Sequence, residues 1–343
     1  MLEQETFEIR IEKEKEVEKT TTTIKRILLW VVTHLPFIFI PASGLEELSE
    51  REAEYEKAIS RRKFIRRFKS FLTILGIVLV FLVITLAVFP HWLSPYTYAE
   101  ALGVFPGSFQ PPSPEHLLGT TKFGRDVLSR LIFGTRTSLT VALPSIGLSV
   151  IAGVIVGIIA GFYGGWVDSI IMRIVDILLA FPGIILALVF ISVFQEIFDS
   201  EVKIEYIMLA YGILGIPFYA RLIRGSVLQA KQLPYIEAAR VAGASNWRIM
   251  FRHILPNVIQ PVIISLTFQI GGIILSLAGL SFLGFSDPTM MDWGYEISST
   301  RERLYDAPWA SLFPGVFILI TVLGFMLLGD GLRDALDPRL KNL

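Results

Sequence analysis

Residues 233–256 carry the most specific signal in the sequence, opening Leu233-Pro234-Tyr235-Ile236-Glu237-Ala238-Ala239 and closing Ile254-Leu255-Pro256. Pro234 suits the first turn of a helix, where its missing N–H costs nothing. Glu237 falls in that same turn, where the helix dipole favours negative charge. Ala238 and Ala239 are strong helix formers. Gly243 can take the left-handed conformation that ends a helix. Ser245 can cap a second helix, and Pro256 is expected to stop it. The spacing therefore predicts two short helices about a tight glycine turn. Ile236, Ala239 and Ala242 would form a small apolar stripe, and Trp247, Met250, Phe251 and Ile254 a larger one. The chemistry of such an elbow is docking, with an apolar knob entering a groove on a partner.

Bond-making chemistry finds no comparable pattern. There is no Gly-x-x-x-x-Gly-Lys-Ser/Thr phosphate loop, no His-Glu-x-x-His zinc motif and no Gly-x-Ser-x-Gly nucleophile elbow. His34, His91, His116 and His253 are scattered and make no ligand set. The absence of cysteine excludes disulfides, thiolate metal sites and thiol catalysis. No catalytic residue, metal or cofactor is expected, and the chain is not expected to be an enzyme.

The elements that position the elbow are membrane helices. Of 343 residues, 53% are hydrophobic and 18% charged, against roughly 45–50% and about 25% in soluble domains. The excess sits in blocks long enough to cross lipid. Six are expected, at Phe71–Phe89, Leu139–Gly161, Ile170–Phe194, Glu205–Leu222, Val258–Phe285 and Leu312–Gly329. Within hydrocarbon the backbone must satisfy its own hydrogen bonds, so each block is read as a helix. The fold class is an all-α polytopic membrane protein in contact with lipid. Zero formal net charge argues against nucleic acid as a partner.

Lys and Arg near the span ends set the expected orientation. The cluster Arg61-Arg62-Lys63, with Arg66, Arg67 and Lys69, precedes the first span. Arg224, Lys231, Arg240, Arg248 and Arg252 lie in the fourth loop, and Arg333, Arg339 and Lys341 in the tail. The bias places both termini and loop 224–256 in the cytoplasm. Three regions are expected: a charged extension at 1–60 with an interfacial stretch at 24–40, a first span and outer loop at 61–138, and a five-helix core at 139–343. The N-terminal charges do not read as a secretory signal. The proline-rich outer loop 90–118 should hold little regular structure, and 286–308 forms a second outer loop.

Several intramembrane residues admit two readings. Pro182 inside the third span either kinks a helix lining a pathway or is one of many transmembrane prolines. Gln269 either serves the translocation path or bonds a neighbouring helix. Gly153, Gly157, Gly161 and Gly165 recur every four residues and allow close approach within or between subunits. Arg173 and Asp176 are three apart and can pair, as interfacial anchor or substrate contact.

Glu237-Ala238-Ala239, Gly243 and Leu255-Pro256 together resemble the "EAA" loop of permease subunits in ABC importers. The wider pattern has Ile two residues before the Leu. His253 stands there, as in the dipeptide/oligopeptide branch, of which this chain resembles the second, C-type permease. Leu118-Gly119-Thr120-Thr121, Phe123-Gly124-Arg125-Asp126, Gly161-Phe162-Tyr163-Gly164-Gly165-Trp166 and Gly329-Asp330-Gly331-Leu332-Arg333-Asp334 agree with that branch. The resemblance covers roughly residues 61–343. It implies a type I importer core whose Glu237, Ala238, Ala239, Gly243, Ser245, Leu255 and Pro256 couple to an ATPase. The implied partners are a second homologous permease, two ATP-binding subunits and an extracytoplasmic substrate-binding protein. Peptides, oligosaccharides or nickel are the implied cargoes. The rivals are a secondary transporter, which needs internal repeats and buried coupling acids, and a membrane scaffold that does not transport.

Overall fold

The computed structural model describes residues 70–287 and 289–336. The extension at 1–60, the stretch at 24–40, the cluster at 61–69 and the tail beyond Leu336 lie outside them. Every regular element longer than a single bridge among the described residues is helical. Five helices are long and apolar enough to cross a membrane: α1 (Phe71–Val88), α4 (Val127–Tyr163), α7 (Ile204–Ala230), α11 (Gln260–Phe282) and α13 (Pro308–Leu336). The chain is a multi-pass membrane protein.

The third expected span, Ile170–Phe194, is not one helix. It is α5 (Gly165–Ala180) followed by α6 (Gly183–Phe198), bent by 98°. Pro182 lies at the break rather than inside a helix. A proline disfavours helical geometry in the residue before it, and Phe181 is accordingly extended, with ψ 142°. Pro217 by contrast stays inside α7, and Pro144 inside α4.

The central packing is α4 against α7. Gly153, Gly157 and Gly161 face α7 so closely that a Cβ on Gly153 would lie 2.6 Å from Tyr219 Cβ, and one on Gly161 2.9 Å from Val227 Cβ. The glycine stripe therefore serves packing within this chain. Gly165 is not part of it, having nothing near a Cβ. Ser145 and Ser149 donate across the seam to the carbonyls of Met208 (2.9 Å) and Gly212 (2.8 Å). Small residues and hydroxyls are what hold membrane helices together where no hydrophobic gain is available.

Loop 90–118, expected to be irregular, holds helices, and so does the second expected loop, 286–308. Residues 90–118 contain α2 (Pro90–Leu93) and α3 (Tyr98–Leu102), the latter opened by a capping box between Thr97 and Glu100. Residues 286–308 contain α12 (Trp293–Thr300). Its Trp293 is fully buried and donates from Nε1 to Leu131 O at 3.0 Å. Arg130, near the start of α4, is buried too. It donates to Ala101 O at 2.6 Å and to Glu296 on α12 at 2.5 Å. These contacts tie both loops to one end of the bundle.

Candidate coupling elbow and central cavity

At the other end of α4 the chain forms the elbow. Lys231 Nζ donates to Gly161 O at 2.9 Å, fixing where α7 stops. Pro234 then opens α8 (Pro234–Val241), with Glu237 in its first turn. Gly243 follows at φ +77°. Ala244 N–H donates to Ala239 O (3.0 Å) and Gly243 N–H to Arg240 O (2.9 Å). This pair of bonds is a Schellman closure, which consumes carbonyls the helix end leaves free. Ser245 Oγ then accepts from Arg248 N–H at 3.4 Å and caps the returning limb. The two short helices and their glycine turn stand as the sequence predicts.

The returning limb differs from expectation after its first turn. It runs through α9 (Asn246–Arg248), a π-helical segment (Ile249–Ile254) and α10 (Leu255–Val258), so Pro256 does not end it. Proline has no N–H, and its ring clashes with the carbonyl four residues earlier. Widening the turn to i→i+5 bonding, as in Leu255 N–H to Met250 O, accommodates it.

The exposed face also differs. Ile236, Met250 and Ile254 are buried against the chain's own core, with Ala239, Phe251 and Leu255 partly buried beside them. These are most of the two predicted stripes, and they point inward. The outward set is Glu237, Ala238, Val241, Ala242 and Trp247, with Val241 90% and Trp247 67% exposed. Trp247 rests on Phe251, ring centroids 4.1 Å apart. Pro256 is exposed, and Leu255 anchors the limb.

Two ion pairs brace the helices leading to the elbow. Arg224 on α7 donates to both oxygens of Asp168 on α5, and Arg221 pairs with Asp176. Asp176 thus reaches across to α7 rather than to Arg173, its neighbour three residues away. A separate cavity of about 280 Å³ lies midway along the bundle. Gln269 lines it, with Ser149, Gly183, Tyr211, Tyr219 and Ser276. Pro182 is adjacent to lining residue Gly183 but is not itself on the wall. The Tyr219 hydroxyl is buried with no hydrogen-bond partner among the described residues. Those residues also hold no group of three His, Asp or Glu able to ligate a metal.

The family described as "Binding-protein-dependent transport system inner membrane component" matches residues 153–342. The glutathione transport system permease protein GsiD of Pectobacterium atrosepticum is 41% identical over 283 residues, covering 82% of this chain and 92% of that protein. This chain belongs to that permease family. It is a permease subunit of an ABC importer, a family that works with ATPase and substrate-binding partners. The dipeptide transport system permease protein DppC of Alkalihalophilus pseudofirmus is 39% identical, with 82% of this chain and 90% of the relative covered. A solved chain of the MetNI methionine ABC transporter in inward-facing conformations shares the fold, at TM-score 0.51 and 20% identity. That match covers 61% of this permease and 97% of the solved chain.

Sequence reasoning missed three parts of the permease. Val241 was readable as the elbow tip, since it follows Glu237 and Ala238 by four and three residues on one helical face. The Asp168–Arg224 pair joins residues 56 apart, and no local spacing announces it. Tyr211 and Tyr219 were legible only as apolar span residues.

Proposed function

We propose that loop 224–256 of this permease is the cytoplasmic docking site for a separate ATPase. In this reading Glu237, Ala238, Ala239, Gly243, Ser245, Leu255 and Pro256 transmit the ATPase's motion. The observation that carries it is the exposure of Val241 and Trp247 at the tip of an elbow whose base is buried. A large apolar side chain held out from a braced turn is costly to leave in water and suits a partner's groove. The two limbs divide the work. Glu237, Ala238 and Pro256 face the partner, Ala239 and Leu255 fix the elbow to the spans, and Ser245 caps the returning limb.

The permease would form half of a translocation path with a second, similar permease, and two ATP-binding subunits would close beneath them. An extracytoplasmic binding protein would deliver cargo to the opposite end. Both termini would then be cytoplasmic, and ATP hydrolysis would belong to the partners. Small peptides are the favoured cargo, since the relatives named above are permeases for glutathione and for dipeptides. Gln269 and the break at Pro182 would line the path, with residues 139–343 as its core and 1–60 as an appendage.

The test is co-purification. Val241→Glu with Trp247→Ala should abolish recovery of the ATPase with the permease from detergent extracts, at unchanged membrane abundance. Full recovery of the ATPase with this double variant would end the docking assignment.

A further inference from the structure

The end of the bundle away from the elbow holds a second cavity, of about 510 Å³. The 37 residues of α4 set it about 55 Å from the elbow, at 1.5 Å per residue. Its charges come from separate segments. Arg125 and Arg130 belong to the chain entering α4, Glu201 to the connection before α7, and Asp287 to the connection before α12.

Two of these charges are already answered. Arg130 pairs with Glu296. Asp287 accepts from Ile204 N–H at 3.2 Å and from Thr289 N–H at 2.9 Å. Arg125 is different. Its Nε–H donates to Gly103 O at 2.7 Å, and its guanidinium lies 4.7 Å from the Phe123 ring centroid. No described carboxylate lies within ion-pairing distance of it. Burial, then the neighbouring Arg130, work against its charge and pull its pKa below the ordinary arginine value. A half-buried guanidinium, oriented by a backbone bond and an aromatic face, with nitrogens left over, is a carboxylate receptor. Glu201 is exposed at the same cavity, and none of the ion pairs among the described residues includes it. The cavity's size lies in the range of small-molecule sites.

We propose that this cavity is a receiving site for a small zwitterionic cargo, in which Arg125 takes the carboxylate and Glu201 faces the ammonium group. Arg125 is then a specificity-determining residue. The inference rests on the peptide-import reading above, which puts this end outside and gives the cargo two opposite charges. It adds where the cargo is first held and by which atoms. The other source of a carboxylate is an acidic side chain of the binding protein, and the experiment separates the two.

The full complex in proteoliposomes is assayed for uptake of radiolabelled dialanine at saturating binding protein. Docking of the binding protein to the nanodisc-held complex is measured separately. Arg125→Gln should lower uptake about tenfold or more, the scale of one charge-assisted hydrogen bond. Arg125→Lys, which keeps the charge but loses the planar fork and the Gly103 bond, should lose uptake too, yet clearly less than Arg125→Gln. Docking should be the same for both. Equal losses in the Lys and Gln variants would make Arg125 a structural prop and overturn the proposal. So would weakened docking, which assigns the carboxylate to the binding protein, and so would unaltered uptake by Arg125→Gln. No dialanine uptake by the unaltered complex would instead remove the peptide reading, whatever the variants do.

Discussion

Asp168 accepts two hydrogen bonds from Arg224, from Nε at 2.8 Å and from Nη2 at 2.6 Å. The pair joins the first turn of α5 to the part of α7 that leads into the elbow. Fork-on-carboxylate geometry fixes direction as well as distance. Any motion that enters through α8 must therefore carry the start of the broken span with it. The pair is partly exposed, at 34% and 15% for the two side chains, so its net worth is modest. Arg224→Gln and Asp168→Asn should each reduce uptake per ATP hydrolysed several-fold. A double-mutant cycle on stability should give a coupling of about 1 kcal/mol. Additive losses in both readouts would show that the two residues act separately.

Gly243 turns the elbow at φ +77°, and a Cβ there would meet nothing within 4 Å. The requirement for glycine is thus backbone conformation alone. A β-branched side chain in that region costs about 1–3 kcal/mol. Gly243→Val should insert normally yet lose most transport, because the strain is relieved by reshaping the elbow. Gly243→Asn, better tolerated in left-handed geometry, should keep much more. Wild-type uptake by the valine variant would show that the turn's shape is unimportant.

The spans were legible because lipid leaves the backbone few options, and runs such as Phe71–Val88 state the result in composition alone. The elbow was legible because Pro234, Gly243 and Ser245 each constrain their own backbone. The break at Pro182 was not. An apolar run with one proline reads the same whether the helix bends or stops, and neighbours decide. The π-helical segment was hidden because Pro256 acts on carbonyls a turn before it. Ile236, Met250 and Ile254 carried the right periodicity, but periodicity cannot say whether a stripe meets its own chain or another's. Asp176 had a partner at helical spacing in Arg173 and took Arg221 instead. Glu201 and Arg125 fall on connections, where sequence offers no register at all.

Arg130 and Glu296 form an ion pair between residues 166 apart, with side chains 1% and 5% exposed. Removing one member leaves the other charged, buried and unpaired. Such losses run to about 3–5 kcal/mol, whereas replacing both by apolar groups is often neutral or better. Glu296→Gln and Arg130→Met should each lower the melting temperature of the purified complex clearly. Arg130→Met combined with Glu296→Leu should recover most of it, apart from the bond to Ala101 O. A double variant less stable than either single one would mean that the charges themselves are required.

Asp292 offers the clearest pH signature. Its carboxylate caps α12, accepting from Gly294 N–H at 2.7 Å and Tyr295 N–H at 3.2 Å, yet it is buried. Burial outweighs those two bonds and pushes its pKa from the ordinary 3.8 up to about 6. A carboxyl group whose pKa is raised on folding binds its proton more tightly in the folded state. Below about pH 4 both states are protonated and ionisation costs nothing. Between about pH 4 and 6 the cost grows, and above about pH 6 it is fully present. Asp292→Asn keeps a capping oxygen without the charge. It should stabilise the purified complex by about 1–3 kcal/mol near pH 8, with the advantage shrinking to nothing near pH 4. Melting curves across that range decide the matter, and an Asn variant less stable than Asp292 at pH 8 would show that the charged cap outweighs its burial.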